Sequence, residues 1–236
     1  MMIKHYLKVA FRNLAKYKVQ SIVSILGLAV GFVCFALSTL WIRYEMTYDT
    51  FHEGAERIYL VRAHYAHEPG KISNSTPYPL ADYLQKGNPE IEAMASTSVQ
   101  KVKFRVKDTE KDVVSAAADS VLMNFFNIRV LRGTVNFLKG TNGEIAITEE
   151  FSKRIFGEEE ALGREVEVSG HASKVGAIVS GWSSHSNIPY SILTSARHYT
   201  QWGSANENLF VRIRKGTNGE EFQKKIAALR INDIEK

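Results

Sequence analysis

Seven histidines are the first residues in this chain to ask for chemistry. His5, His52, His64, His67, His171, His185 and His198 lie scattered, and only His64 and His67 stand three apart, with Glu68 beside them. A zinc site needs at least about three converging ligands, so this pair reads as solvated loop residues. Ser183-Ser184-His185-Ser186 is a polar loop, and no spacing of Ser, His and Asp forms a nucleophile motif. No Gly-x-x-x-x-Gly-Lys-Ser/Thr phosphate loop occurs. Asn74-Ser75-Thr76 matches a glycosylation triplet of a kind frequent by chance, and Glu158-Glu159-Glu160 reads as a solvated acidic turn. The expectation is a chain that is not an enzyme, with no catalytic residue, cofactor or metal.

The spacings that do carry information lie near the N-terminus. Lys4, Lys8, Arg12 and Lys16 follow at i+4 steps, with Lys18 beyond them. Ile3, Tyr6, Leu7, Ala10, Phe11, Leu14 and Tyr17 follow the i, i+3, i+4, i+7 rule of another helical face. An apolar stripe beside a basic row predicts a helix over residues 1–18 lying in the membrane interface, its cations toward anionic lipid headgroups.

Val19 to Ile42 then carries no charge. That run is long enough to cross the bilayer core, which takes about 20 apolar residues, and it ends in Trp41-Ile42-Arg43-Tyr44, an interfacial anchor and not a cleavage site. Residues 19–43 are expected to stay in the membrane. The basic flank, with no acid before Glu45, predicts a cytoplasmic N-terminus and a body from residue 44 to 236 outside. The net charge of +5 comes from that flank. Residues 1–43 hold six of the 30 basic groups and none of the 25 acids, leaving 24 against 25 beyond the membrane. A near-neutral body gives no footing for nucleic acid.

The span is not uniform. At 100° per residue Gln20, Ser24, Gly27, Gly31, Cys34 and Ser38 fall on one narrow stripe, with Gly27 and Gly31 forming a GxxxG pair. Small residues let helices approach closely in lipid, so this stripe is the expected helix-packing face. Cys34 is the only cysteine, so the body has no internal disulfide and depends on an ordinary core.

The body reads as α+β. Strands are expected at Arg57–Tyr65, Val99–Val106, Asp112–Ala118, Glu144–Thr148, Glu165–Ser169, Ser173–Ser180 and Asn208–Arg214. Helices are expected within Pro77–Glu92, at Glu149–Phe156 before Gly157, and at Asn218–Arg230, with a short helix or turn and then a strand over Asp119–Leu131. Val99–Val106 and Asp112–Ala118 should pair as a hairpin with a turn at 107–111.

Several segments resemble FtsX-like/MacB-like ABC transporter permeases. Phe11-Arg12-Asn13-Leu14, the Lys16/Lys18 pair, Ser21-Ile22 and Gly27-Leu28-Ala29-Val30-Gly31 are similar to the start of such permeases. Tyr48-Asp49-Thr50-Phe51-His52, Glu56-Arg57-Ile58-Tyr59-Leu60-Val61 and Pro77-Tyr78-Pro79-Leu80-Ala81 continue the likeness. Asn88-Pro89-Glu90-Ile91-Glu92, Ala118-Asp119-Ser120, Phe125-Phe126, Ile147-Thr148-Glu149-Glu150, Phe156-Gly157 and Leu162-Gly163 resemble the family's periplasmic core domain, and the turn before Asn187-Ile188-Pro189 does so as well.

The resemblance implies a permease subunit of the mechanotransmission type in a bacterial inner membrane. Its partners would be a cytoplasmic ABC ATPase subunit, near which the basic helix would lie, and a second permease copy or the remaining permease helices. The periplasmic domain would hold porter-like βαβ halves at about 44–118 and 201–236, with a β-rich subdomain inserted at about 119–200. A full permease returns to the membrane for at least three further helices and this chain stops at Lys236, so a fragment or a degenerate relative is expected. Two other classes compete: a single-pass envelope sensor, which needs a cytoplasmic output domain that 18 residues cannot supply, and a membrane-tethered hydrolase, which needs a pocket of converging titratable groups.

Overall fold

The computed structural model describes residues 2–65, 69–107, 109–182 and 185–230; the side chains of Ile3, Lys4, Leu7, Ala10 and Phe11 lie outside that description. Two compact units divide the chain, residues 1–48 and 49–236.

The first unit is helical. α1 (Met2–Lys16) and α2 (Lys18–Met46) are separated by Tyr17, whose backbone leaves the helical region at φ −107°, ψ 58°. The break stays hydrogen-bonded: the Tyr17 N–H donates to the Asn13 carbonyl at 3.0 Å, and Ser21 Oγ donates to the Leu14 carbonyl at 3.2 Å. α2 has 29 residues. At 1.5 Å per residue that is about 43 Å, more than the roughly 30 Å of a hydrocarbon core. The helix starts one residue before the expected span and runs three past Arg43, ending where Thr47 Oγ1 donates back to the Arg43 and Tyr44 carbonyls at 3.1 and 2.9 Å. Trp41, Tyr44 and Tyr48 gather at that end, with ring centroids 6.3 and 5.6 Å apart, an amphipathic belt suited to an interface.

The second unit is α+β, built on two sheets. In the smaller one β1 (Ile58–Leu60) and β2 (Ser75–Pro77) lie along one side of the strand Ala205–Ile213, and β3 (Ile91–Thr97) lies along the other, all antiparallel to it. α3 (Pro79–Gly87) fills the link between β2 and β3. It opens on Pro79 in its first turn, buries Leu80 and Leu84, and ends where Asn88 Nδ2 donates to the Leu84 carbonyl at 2.7 Å.

The larger sheet takes the next seven strands: β4 (Val99–Val106), β5 (Thr109–Ala118), β6 (Val130–Gly133), β7 (Glu144–Thr148), β8 (Glu165–Val168), β9 (His171–Val179) and β10 (Ile192–Ser195). Their order is β6-β9-β7-β10-β5-β4-β8, and β8 also pairs with β9. That second pairing closes six strands into a ring, which leaves fewer open edges. Phe104, Ile145, Ile147, Val175, Ile178 and Ile192 fill it, and Phe151 packs edge-on against Phe104 at 5.0 Å. Phe151 arrives on α5 (Glu149–Phe156), whose ends are written locally. Thr148 Oγ1 accepts the Phe151 N–H at 3.2 Å, Glu149 and Glu150 sit in the first turn, and Gly157 stops the helix at φ 61°.

The chain returns to the smaller sheet as β11 (Ala205–Ile213), followed by α6 (Gly219–Ala227). Alternation along β11 sends Leu209, Val211 and Ile213 toward Leu80, Leu84 and Phe222 of α3 and α6. Each such side chain contributes about 1.5–3 kcal/mol on burial. Phe210 and Arg212 face the other way, onto the Phe125-Phe126 end of α4 (Ser120–Phe125). One core therefore joins the sheets: Ala95 of β3 with Ala118, Leu122, Phe126, Val179 and Leu193.

Three strands carry no sequence expectation: β2, β3 and β10. Ile91–Thr97 reads Ile-Glu-Ala-Met-Ala-Ser-Thr, poor in β-branched residues, and its ladder comes from β11, more than a hundred positions away. The hairpin β4–β5 forms, but β5 starts at Thr109, so the turn is tighter than 107–111. Grouped by sequence with the first porter-like half, that hairpin instead hydrogen-bonds into the larger sheet, β5 running parallel to β10.

Candidate coupling site

The stripe expected to pack against other helices is open. Gln20, Ser24, Gly27, Gly31, Cys34 and Ser38 are all exposed, and a Cβ built on Gly27 or Gly31 meets nothing within 4 Å. Lys8, Arg12, Lys16 and Lys18 are exposed as well, while the side chain of Lys4 lies outside the described residues. Among the described residues α2 is the one helix long and apolar enough to cross a membrane.

Directly after that helix the chain is clamped. Asp49 is the third residue past Met46, and it adopts φ 55°, a left-handed conformation that Asp tolerates. Its N–H donates to the His185 carbonyl at 3.2 Å. Its carboxylate accepts from Ser186 Oγ at 2.5 Å, from Asn187 Nδ2 at 2.7 Å and from the Asn187 N–H at 3.3 Å. Ser186 is buried, and its hydroxyl accepts the Ile188 N–H at 3.2 Å. Bonds to a charged acceptor are the strong kind, so Asp49 is tied to the β9–β10 loop.

Three residues on, His52 wedges into an aromatic cluster. Its ring lies 4.2 Å from Phe51, 4.8 Å from Phe126 and 4.8 Å from Trp182. Burial lowers the His52 pKa, Asp49 opposes that shift and Arg212 reinforces it. The ring is therefore neutral at pH 7 and packs as an aromatic body. Phe126 is the hub, 4.7 Å from Trp182 and 5.0 Å from Phe210. Beneath it the Arg212 guanidinium covers Phe125 at 4.5 Å and donates to the Phe125 carbonyl. Within the smaller sheet Arg57 donates to the Ile213 carbonyl at 2.7 Å and to Glu92 at 2.5 Å, bridging β11 and β3.

A second knot joins the two sheets. His198, between β10 and β11, meets Asp119 Oδ2 with Nε2 and Glu207 Oε1 with Nδ1, both at 3.3 Å, and stacks on Tyr78 at 4.0 Å. Hydrogen bonds to Asp119 and Glu207 push its pKa up to about 9, against the opposing effect of burial. Burial by itself raises the Asp119 carboxyl. The His198 bond and the Leu122 N–H, which Asp119 caps at 2.7 Å, outweigh it and leave the group lowered. The imidazolium is thus held between two carboxylates, with the β5–α4 corner on one side and β11 on the other.

The residues that the sequence offered for chemistry are not brought together among the described residues. His64 is exposed, His67, Glu68, Ser183 and Ser184 lie outside the described residues, and no group of three metal-ligating side chains occurs among those described. Thr76 of the glycosylation triplet is buried in β2, donating to the Glu207 carbonyl at 3.1 Å. The acidic turn is more than solvated: Glu159 pairs with Arg164 at 2.8 Å, and Glu160 pairs with Arg132 and accepts the Leu162 N–H. Sequence reading singled out Asp49, His52, Phe126 and Asp119 inside family-like segments without pairing them. Only adjacency in space reveals the clamp and the knot. Glu207 and Arg212 escaped it altogether, on an alternating strand where a charged residue at an inward position was the available signal.

Comparison with known proteins agrees with this architecture. The MacB-like periplasmic core domain family matches residues 21–229. A crystal structure of a domain assigned to a permease protein of Porphyromonas gingivalis superposes with a TM-score of 0.60 at 19% identity, over 74% of this chain and 82% of that one. The extracellular domain of the noncanonic ABC-type transporter YknZ from Gram-positive bacteria superposes at 0.50 with 14% identity, over 71% and 86%. The periplasmic region of MacB from Actinobacillus actinomycetemcomitans does so at 0.50 with 12% identity, over 72% and 79%. Among curated proteins none matches. The chain belongs to the MacB-like periplasmic core domain family and is a domain of a MacB/FtsX-like ABC transporter permease.

Proposed function

We propose that this permease chain passes mechanical work between the membrane and its exported domain. α2 spans the inner membrane with the N-terminus cytoplasmic, and residues 49–236 lie in the periplasm. A cytoplasmic ABC ATPase subunit, close to the basic helix α1, moves α2. The Asp49 clamp and the His52 wedge deliver that movement to the body. The clamp is the observation that carries the reading: three hydrogen bonds to one carboxylate fix the first residues after the span to the β9–β10 loop. A floppy tether would dissipate motion, and a clamped stem transmits it.

Within the body, the smaller sheet with α3 and α6 acts as the porter-like part and the larger sheet as the inserted part. The sheet pairings favour a division at residue 98 over one at 118. The exposed stripe on α2 packs against a second permease copy or against the remaining permease helices. Copurification tests the reading. The full chain in detergent should retain an ABC ATPase, and ATP hydrolysis by that complex should change with Asp49→Ala. A chain that retains no ATPase, or hydrolysis indifferent to the clamp, overturns it.

A further inference from the structure

A half-open cleft of about 500 Å³ lies between the two sheets, within the range of small-ligand sites. Its wall is polar. Ser75, Gln100, Thr194 and Asn206 present hydroxyl and amide groups, and no aliphatic side chain larger than alanine lines it. A lipid tail finds no complement there, whereas a ligand rich in groups that both donate and accept does.

Two charged residues sharpen the specification. Glu207 lines the cleft with 3% of its surface exposed. Its Oε1 faces His198, while its Oε2 is buried with no hydrogen-bond partner. An unpaired buried carboxylate oxygen is costly and calls for a hydroxyl or N–H donor from whatever enters. Arg197 lines the same cleft, is exposed, and makes no ion pair among the described residues. Its guanidinium fork fits a carboxylate bidentately. Tyr199, 57% exposed, adds an aromatic ring to the lining.

We infer that this cleft binds an acidic saccharide unit. Glu207 Oε2 accepts a sugar hydroxyl, Arg197 holds the acid group, the hydroxyl and amide wall takes the remaining hydroxyls, and Tyr199 covers an apolar face of the ring. The site stands apart from the coupling proposed above.

Calorimetric titration of the full chain, in a detergent without a sugar headgroup, tests this. The probes are D-glucuronic acid and N-acetylmuramic acid, set against D-glucose, N-acetyl-D-glucosamine and the dipeptide alanyl-alanine. The acidic sugars should bind with Kd on the order of 1 mM, a fair value for so small a ligand. Arg197→Gln, an exposed change, should weaken them about tenfold without altering the melting temperature. Tyr199→Ala should weaken acidic and neutral sugars alike, whereas Glu207→Gln also disturbs the His198 knot and is read only beside its melting curve. Absence of binding, equal affinity for acidic and neutral sugars, indifference to Arg197→Gln, or tighter binding of the dipeptide each overturns the assignment.

Discussion

Ser186 Oγ donates to the Asp49 carboxylate at 2.5 Å across 137 positions of sequence. The serine is buried, and the aspartate stands just past the end of α2. A short, charge-assisted bond there fixes the first residue of the second unit.

Asp49→Ala should cost about 1–3 kcal/mol, because it strands the buried Ser186 hydroxyl, whereas the exposed Asn187 amide turns to water. Asp49→Asn should cost less, since one acceptor oxygen remains. Denaturant unfolding of the full chain in detergent measures both. Equal stability of all three forms would mean that the clamp bears no load.

The His198 knot predicts a pH dependence with a definite sign. Its folded pKa of about 9 stands above the ordinary histidine value of 6.5. A raised pKa adds stability that is complete below about 6.5 and disappears as pH rises through about 9. The lowered Asp119 carboxyl works in the opposite sense, adding stability above its ordinary range and losing it as pH falls through its folded value. Unfolding free energy should therefore decline between pH 7 and pH 9.5, by at most about 3 kcal/mol for a shift of this size. His198→Gln should flatten that decline. A slope untouched by the substitution would dissociate the histidine from it.

Topology is open to a direct check. Five cations at Lys4, Lys8, Arg12, Lys16 and Lys18, with no acid before Glu45, predict an N-terminus on the inside. Alkaline phosphatase fused after Lys236 should be active, and a cytoplasm-dependent reporter at the same site should be silent. The reverse pattern would place the body in the cytoplasm.

Helix packing can be read through the native cysteine. Cys34 is exposed on the stripe with Gly27 and Gly31. Crosslinking at Cys34 in membranes should fall when Gly27→Leu or Gly31→Leu blocks close backbone approach, and should persist in Val30→Leu on another face. Identical crosslinking in all three variants would leave α2 a plain anchor.

Phe126→Ala should cost about 3–5 kcal/mol, the usual range for deleting a buried phenyl ring. The ring is shared by His52, Trp182 and Phe210, so the loss should appear as one cooperative destabilisation of the second unit in denaturant. A drop confined to the aromatic signal, with the midpoint unmoved, would count against a joint core.

What the sequence determined by itself was whatever a local pattern can write. An uncharged run between Lys18 and Arg43 is long and apolar enough for a helix to cross a membrane, and the cations before it set its expected direction. Thr148, Glu149 and Gly157 mark both ends of α5 within ten positions of one another. The alternation near the end of Val99–Val106 specifies a strand with one buried face, and its hairpin partner follows closely. Such signals need only a helix or strand period and a stop residue, so no distant segment has to be known.

Tertiary structure alone decided the rest, because the energy involved comes from partners far along the chain. β3 is a strand through its ladder with β11, although four of its seven residues are alanine, serine or glutamate. The β4–β5 hairpin joins the larger sheet because β10 supplies a parallel neighbour some 77 positions later, a pairing no local period encodes. His198 becomes a cation where Asp119 and Glu207 converge on it from two sheets. Asp49 becomes a clamp only once the loop after β9 comes back beside it. Loop closure over such distances is offset only when the whole core forms, so these residues take their roles from the folded unit.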